Sequence, residues 1–125
     1  MRAIMLAFLA VGILGCGKAQ PTMAGGKPVS HWVAAIHDPD PHVRKQAVFK
    51  LGNVGPADPA ALPAVTEALK DTDVAVRRAA ILALLKFGSD AKTAIPILDD
   101  MRQHDRDNQV RSDAAKALEK IKADQ

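Results

Sequence analysis

The sequence predicts an all-α protein, an α-solenoid of three helix-turn-helix repeats stacked as an αα superhelix. Three observations predict it. The first is a motif that occurs three times. Asp38, Asp71 and Asp105 open the copies, and Asp40, Asp73 and Asp107 follow two residues later. Then come Val43-Arg44, Val76-Arg77 and Val110-Arg111, next Ala47, Ala80 and Ala114, and last Leu51, Leu84 and Leu118. The valines lie 33 and 34 residues apart, and self-similarity at such a period marks a stack of helical repeats. The second is the apolar spacing inside each copy. Counted from the valine, apolar residues fall at 0, +4, +5, +8 and +11: Val43, Ala47, Val48, Leu51 and Val54; Val76, Ala80, Ile81, Leu84 and Phe87; Val110, Ala114, Ala115, Leu118 and Ile121. At 3.6 residues per turn these form one stripe. The third is a second apolar segment ahead of each aspartate pair. Val29, Trp32 and Ile36 align with Leu62, Val65 and Leu69, and Ile95 and Leu98 are the counterparts in the third copy.

Each repeat therefore reads as a helix, a short Asp-rich turn and a second helix, over about 29–55, 56–88 and 89–122 within a domain of 29–125. Asp40, Asp73 and Asp107 sit three before the valines, where an N-cap belongs; a carboxylate there accepts from free first-turn N–H groups, worth about 1 kcal/mol. Pro41 follows at a position that tolerates proline. Ser30 is the N-cap expected for the first helix, Gly88 suits the end of the second copy, and Gly52 and Gly55 bracket the end of the first. The first helix of copy three is expected from Ala91 to about His104, bent at Pro96. The central helix, RRAAILALLKF, is the most apolar of the three, as a helix covered on both sides should be.

The arginines are the unusual choice, because a cation near a helix N-terminus opposes the dipole by roughly 0.3–1 kcal/mol. Nearby carboxylates must compensate, and the paired aspartates are the candidates. The D-x-D-x-x-V-R-x-x-A-x-x-x-L pattern resembles the HEAT repeat, particularly the short HEAT-like repeats of phycobilin lyase-related proteins. The resemblance covers roughly Val29 to Ile121. It implies a ladder between successive repeats, from Asp38, Asp71 and Asp105 to Arg44, Arg77 and Arg111. Stacked helix pairs present an extended surface for protein recognition, and the non-stripe residues near the turns and second helices, Lys45, Gln46, Arg78, Ser112 and Asp113, are the candidate contacts.

The N-terminus carries a separate signal. Met1-Arg2 is a short positive start, and Ala3 to Leu14 is an apolar run of about 12 residues, too short to cross a ~30 Å hydrocarbon core as an ordinary helix. It ends in Ile13-Leu14-Gly15-Cys16, and this arrangement reads as a secretory leader over residues 1–15. A cysteine directly after a small residue resembles the bacterial lipobox. That resemblance implies diacylation of Cys16, removal of the leader and a lipid anchor, with Gly17 favouring the outer membrane and the domain facing the periplasm or the exterior. An ordinary leader with an incidental Cys16, or an uncleaved anchor, are the alternatives. Multiple acyl chains suffice for stable anchoring. Gly17 to Pro28, rich in glycine and proline, reads with Cys16 as a flexible tether over 16–28.

The chemistry is sparse. Lys plus Arg exceeds Asp plus Glu by 17 − 14 = 3, too slight a balance to demand an anionic partner. Three Phe, one Trp and no Tyr leave few platforms for stacking bases, so nucleic acid is not expected as a ligand. HDPDPH, His37 to His42, places two histidines and two aspartates together, but Asp38 and Asp40 already serve the repeat and the matching DTDVAV has no histidine. Zinc sites show clearer spacing and at least three protein ligands, so neither metal nor cofactor is expected. No catalytic constellation or phosphate loop is present, and the aspartates are explained by caps and ladder. The reading is a non-enzymatic, membrane-tethered interaction scaffold with an unknown protein partner and scope for self-association. A structural or accessory subunit is the alternative, and a ligand-binding or lyase-related role a lesser one.

Overall fold

A computed structural model describes residues 20–125. The leader, Cys16 and the first part of the expected tether lie outside these residues. Six α-helices follow a two-stranded hairpin: β1 (Met23–Ala24), β2 (Lys27–Pro28), α1 (Val29–Ala35), α2 (Pro41–Val54), α3 (Ala61–Ala68), α4 (Val74–Leu84), α5 (Ile95–His104) and α6 (Asn108–Ala123). They form three antiparallel pairs, α1/α2, α3/α4 and α5/α6. Each second helix packs against the next, α2 on α4 and α4 on α6, and each is backed by its own first helix. The fold is the all-α solenoid of three repeats.

The core is the apolar stripe of the second helices closed by the first. Ala47, Val48, Leu51, Val76, Ala80, Ile81, Leu84, Val110, Ala114 and Leu118 are all buried, with Val65, Leu69 and Leu98 opposite them. Three stripe residues are only half-buried: Val43, Val54 and Ala115. Their counterparts show why. Val76 and Val110, at the position of Val43, are fully covered by the repeat before them, whereas Val43 has no preceding repeat. Ile81, at the position of Ala115, is buried in α4, which packs against α6, whereas no described helix packs on the far side of α6. Each stripe thus has a backward edge and a forward edge, and the ends of the array expose one of each.

The structure departs from the sequence reading at four places. Residues 23–28, expected as tether, are a hairpin turned at Gly25-Gly26, where both φ angles are positive. This hairpin covers the open end of the first repeat. Ala24 is buried, Trp32 Nε1 donates to the Ala24 carbonyl at 2.8 Å, and Val29 N–H donates to Thr22 O at 2.8 Å. That last bond supplies a first-turn donor of α1, so the helix starts at Val29 with Pro28 as N-cap and Ser30 lies within it. Gly52 is inside α2 and not at its end. A Cβ there would stand 2.9 Å from the Ala83 Cβ, so the glycine lets α2 and α4 approach closely. The chain leaves α2 at Gly55 and the second repeat at Gly88, both with φ near +57° and strongly negative ψ, a region that side chains avoid. Finally, Leu85–Ala94 runs as 3-10 turns and α5 begins at Ile95, so Pro96 sits in a first turn and does not bend the helix.

Candidate functional site

Two surfaces carry the non-core residues of the motif: the edge of Asp-rich turns and the outer face of the second helices.

At the turns, Asp40, Asp73 and Asp107 are the N-caps of α2, α4 and α6. Their carboxylates accept from His42 N–H, from Ala75 and Val76 N–H, and from Val110 N–H. The first aspartate of each pair accepts from the backbone N–H of the second: Asp38 from Asp40, Asp71 from Asp73, Asp105 from Asp107. Asp71 and Asp105 also bind an arginine from the repeat before. Arg44 donates from Nε and Nη2 to Asp71 at 2.8 and 3.0 Å, and Arg77 donates in the same way to Asp105 at 2.9 and 2.9 Å. The third guanidinium nitrogen of each closes on its own turn, Arg44 on the Asp38 and Pro39 carbonyls and Arg77 on those of Asp71 and Thr72. The bidentate fork is geometry that lysine cannot supply.

The ladder therefore has two rungs, because three repeats have two junctions. Asp38 has no preceding arginine, and Arg111 bonds within its own repeat to the Asp105 carbonyl and the Asn108 side chain. Burial pushes the Asp105 carboxyl up, but the bond from Arg77, the Asp107 N–H and the charges of Arg77 and Arg111 outweigh it, so its pKa lies below the ordinary aspartate value. The Asp71 hydrogen bond holds Arg44 even more firmly protonated than a free arginine. At the two junctions the forks of Arg44 and Arg77 are fully engaged in joining one repeat to the next. The HDPDPH turn is also consumed locally: Asp38 and Asp40 serve backbone N–H groups, and His37 lies 3.4 Å from Glu67.

The outer face of the second helices differs. α2 and α4 together form a groove of about 800 Å³, lined by His42, Val43, Lys45, Gln46, Phe49, Ala75, Arg78, Ala79, Leu82, Ala83 and Lys86. Phe49 and Leu82 are 56% and 61% exposed, and of the large apolar side chains among the described residues only Met23, at 55% in the hairpin, is comparably open. They occupy the same register position, +6, in successive repeats, and the third repeat has Lys116 there. Lys45 and Arg78 share +2. Lys86 lies over the Phe49 ring, 5.0 Å from its centre, and donates to Asn53 Oδ1 at 2.5 Å.

Of the five candidate contacts, Lys45, Gln46 and Arg78 line this groove. Asp113 does not line it but ties it to α6: its carboxylate accepts from Arg78 Nε at 2.8 Å and from Gln109 Nε2 at 2.9 Å. These partners overcome the upward push of burial and hold its pKa below the ordinary value. Ser112 is half-buried on α6 and lines no part of the groove. Phe49 and Leu82 are the residues that sequence reasoning missed. The signal was available, since at 100° per residue +6 lies on the polar side of the helix and is apolar in two copies of three.

Helix pairs stacked at a 33-residue period, joined by partly buried Arg–Asp forks and open along the outer face of the second helices, define an α-solenoid repeat protein. A profile of HEAT repeats matches residues 29–119. The chain belongs to the HEAT repeat family, whose arrays commonly serve as protein-interaction scaffolds and are generally not enzymes. No curated protein matches it significantly.

Proposed function

We propose that this protein is a non-enzymatic HEAT repeat scaffold, tethered to the bacterial envelope through lipid on Cys16, that docks a partner protein on the outer face of its second helices. The observation that carries the docking role is the pair Phe49 and Leu82. Large apolar side chains more than half exposed contribute little to the stability of the isolated solenoid. Placed at one register position in adjacent repeats, they form a continuous strip along a groove, the arrangement expected of a recognition surface. The tether rests on the sequence: Met1-Arg2, the apolar run to Leu14 and Gly15-Cys16. Among the described residues no helix is long and apolar enough to cross a membrane. The likeness to lyase-related repeats stops at the repeat unit, and the groove's lining holds no pair of carboxylates for acid–base work.

The tether is tested by metabolic labelling with a clickable palmitate analogue. The wild type should take up label and sediment with membranes, and Cys16→Ala should be unlabelled. An unlabelled wild-type chain would remove the lipid anchor and leave the docking surface to be judged separately.

A further inference from the structure

We infer that the groove between α2 and α4 takes an amphipathic helix whose polar face is acidic, an inference that rests on the scaffold reading above. Three features of the groove point to this occupant. The first is charge. Neither Pro41–Val54 nor Val74–Leu84 contains an Asp or Glu, although the whole chain holds 14. The groove is ringed by Lys45, Arg78 and Lys86, with His42 at one end. Arg78 is neutralised by Asp113, but Lys45 and Lys86 belong to no ion pair among the described residues, and the partners of Lys86, the Asn53 amide and the Phe49 ring, are uncharged. Two uncompensated ammonium groups flanking an apolar strip are complementary to carboxylates flanking an apolar stripe.

The second is shape. The apolar residues line an open groove between two packed helices. A concave apolar channel of this kind accepts one face of a helix, with anchors at helical spacing; a flat bilayer surface would leave it unfilled. The third is the way the strip ends. Beyond Phe49 and Leu82 the same register position carries Lys116, whose charge acts on Asp113. Lys116 is not part of the groove's lining, so the apolar strip stops at Leu82 and does not continue onto α6. The partner helix lies with its apolar stripe on Phe49 and Leu82 and carboxylates toward Lys45 and Lys86.

The test uses the full chain in phosphatidylcholine nanodiscs and a fluorescent peptide of about 18 residues, with leucines at i, i+3, i+4 and i+7 and glutamates between. Anisotropy should show saturable binding. It should weaken at least about tenfold when the glutamates are replaced by lysines, when the leucines are shuffled off the stripe, or in the Lys45→Glu/Lys86→Glu variant. Phe49→Ser should weaken it in the same way without changing the helical circular-dichroism signal. Equal binding of the acidic and basic peptides, or binding indifferent to these substitutions, would overturn the inference. So would a preference for vesicles containing phosphatidylserine that competes the peptide away. If a native partner crosslinks at Leu82 through a segment that is not acidic, the scaffold reading stands and this one fails. If no partner crosslinks on any face, the scaffold reading itself fails.

Discussion

Arg77→Ala should destabilise the fold by about 2–4 kcal/mol, whereas Arg78→Ala, its neighbour, should cost about 1 kcal/mol or less. The two arginines are one residue apart and each binds an aspartate of the third repeat, so the contrast isolates burial and geometry. The Arg77 and Asp105 side chains are only 13% and 8% exposed, and the guanidinium forks both carboxylate oxygens while its third nitrogen closes on the turn. Removing it strands a carboxylate among packed helices, with only the Asp107 N–H left to satisfy it. Arg78 is 45% exposed, and Asp113 keeps its bond from Gln109 when the arginine goes. Urea denaturation measures both. The Arg77→Ala/Asp105→Ala double variant should be less destabilised than the sum of the singles, because the second change removes the stranded charge.

The same rung sets the acid limit of the fold. Asp105 has a native pKa below its unfolded value. Its contribution is therefore fully present above the ordinary carboxyl range and is lost as the pH falls through the lowered native value. Asp113 acts in the same direction. The melting temperature should be flat from about pH 8 down to pH 5 and should fall below about pH 4. In Arg77→Ala the acid limb should be shallower, because the partner that lowers the Asp105 pKa is gone.

Leu84→Ala is expected to cost about 2–5 kcal/mol, a large share of the roughly 5–15 kcal/mol that holds a domain of this size. Leu84 is fully buried in α4, the helix with a repeat on either side. In a repeat array each unit is stabilised mainly by its neighbours, so a cavity in the central unit weakens both junctions together. Leu118, the counterpart in α6, has a neighbour on one side only, and Leu118→Ala should cost less. A Leu84→Ala loss below about 1 kcal/mol would mean that the central stripe is not the core it is described as here.

How much of this was legible in the sequence depends on periodicity. The 33-residue repeat, the stripe and the caps all lie on matched positions, so fold class and second helices could be read directly from Asp40, Val43, Leu51 and their counterparts. Features that occur once could not. The hairpin at 23–28 has strands of two residues, too short for alternation to register, and only Gly25-Gly26 hinted at a turn. The 3-10 turns from Ala91 to Ala94, after the break at Gly88, keep helical spacing and pass for part of a helix, which moved the expected start of α5 and misplaced Pro96. The groove was half legible. Lys45, Gln46 and Arg78 followed from being polar and off the stripe, but that rule discards apolar residues on the same face, and so passed over Phe49 and Leu82. Asp113, chosen for exposure, proves to be the partner of Arg78.

The central claim is that the outer face of α2 and α4 is where this scaffold meets its partner. The most direct test is site-specific photo-crosslinking in living cells, with benzoylphenylalanine placed in turn at Phe49, Leu82, Lys92 and Glu119. The last two are exposed and outside the groove. The account predicts one discrete adduct from Phe49 and Leu82, lost in Lys45→Glu/Lys86→Glu, and none from Lys92 or Glu119. Adducts of equal yield from all four positions, or adducts confined to Lys92 and Glu119, would contradict it.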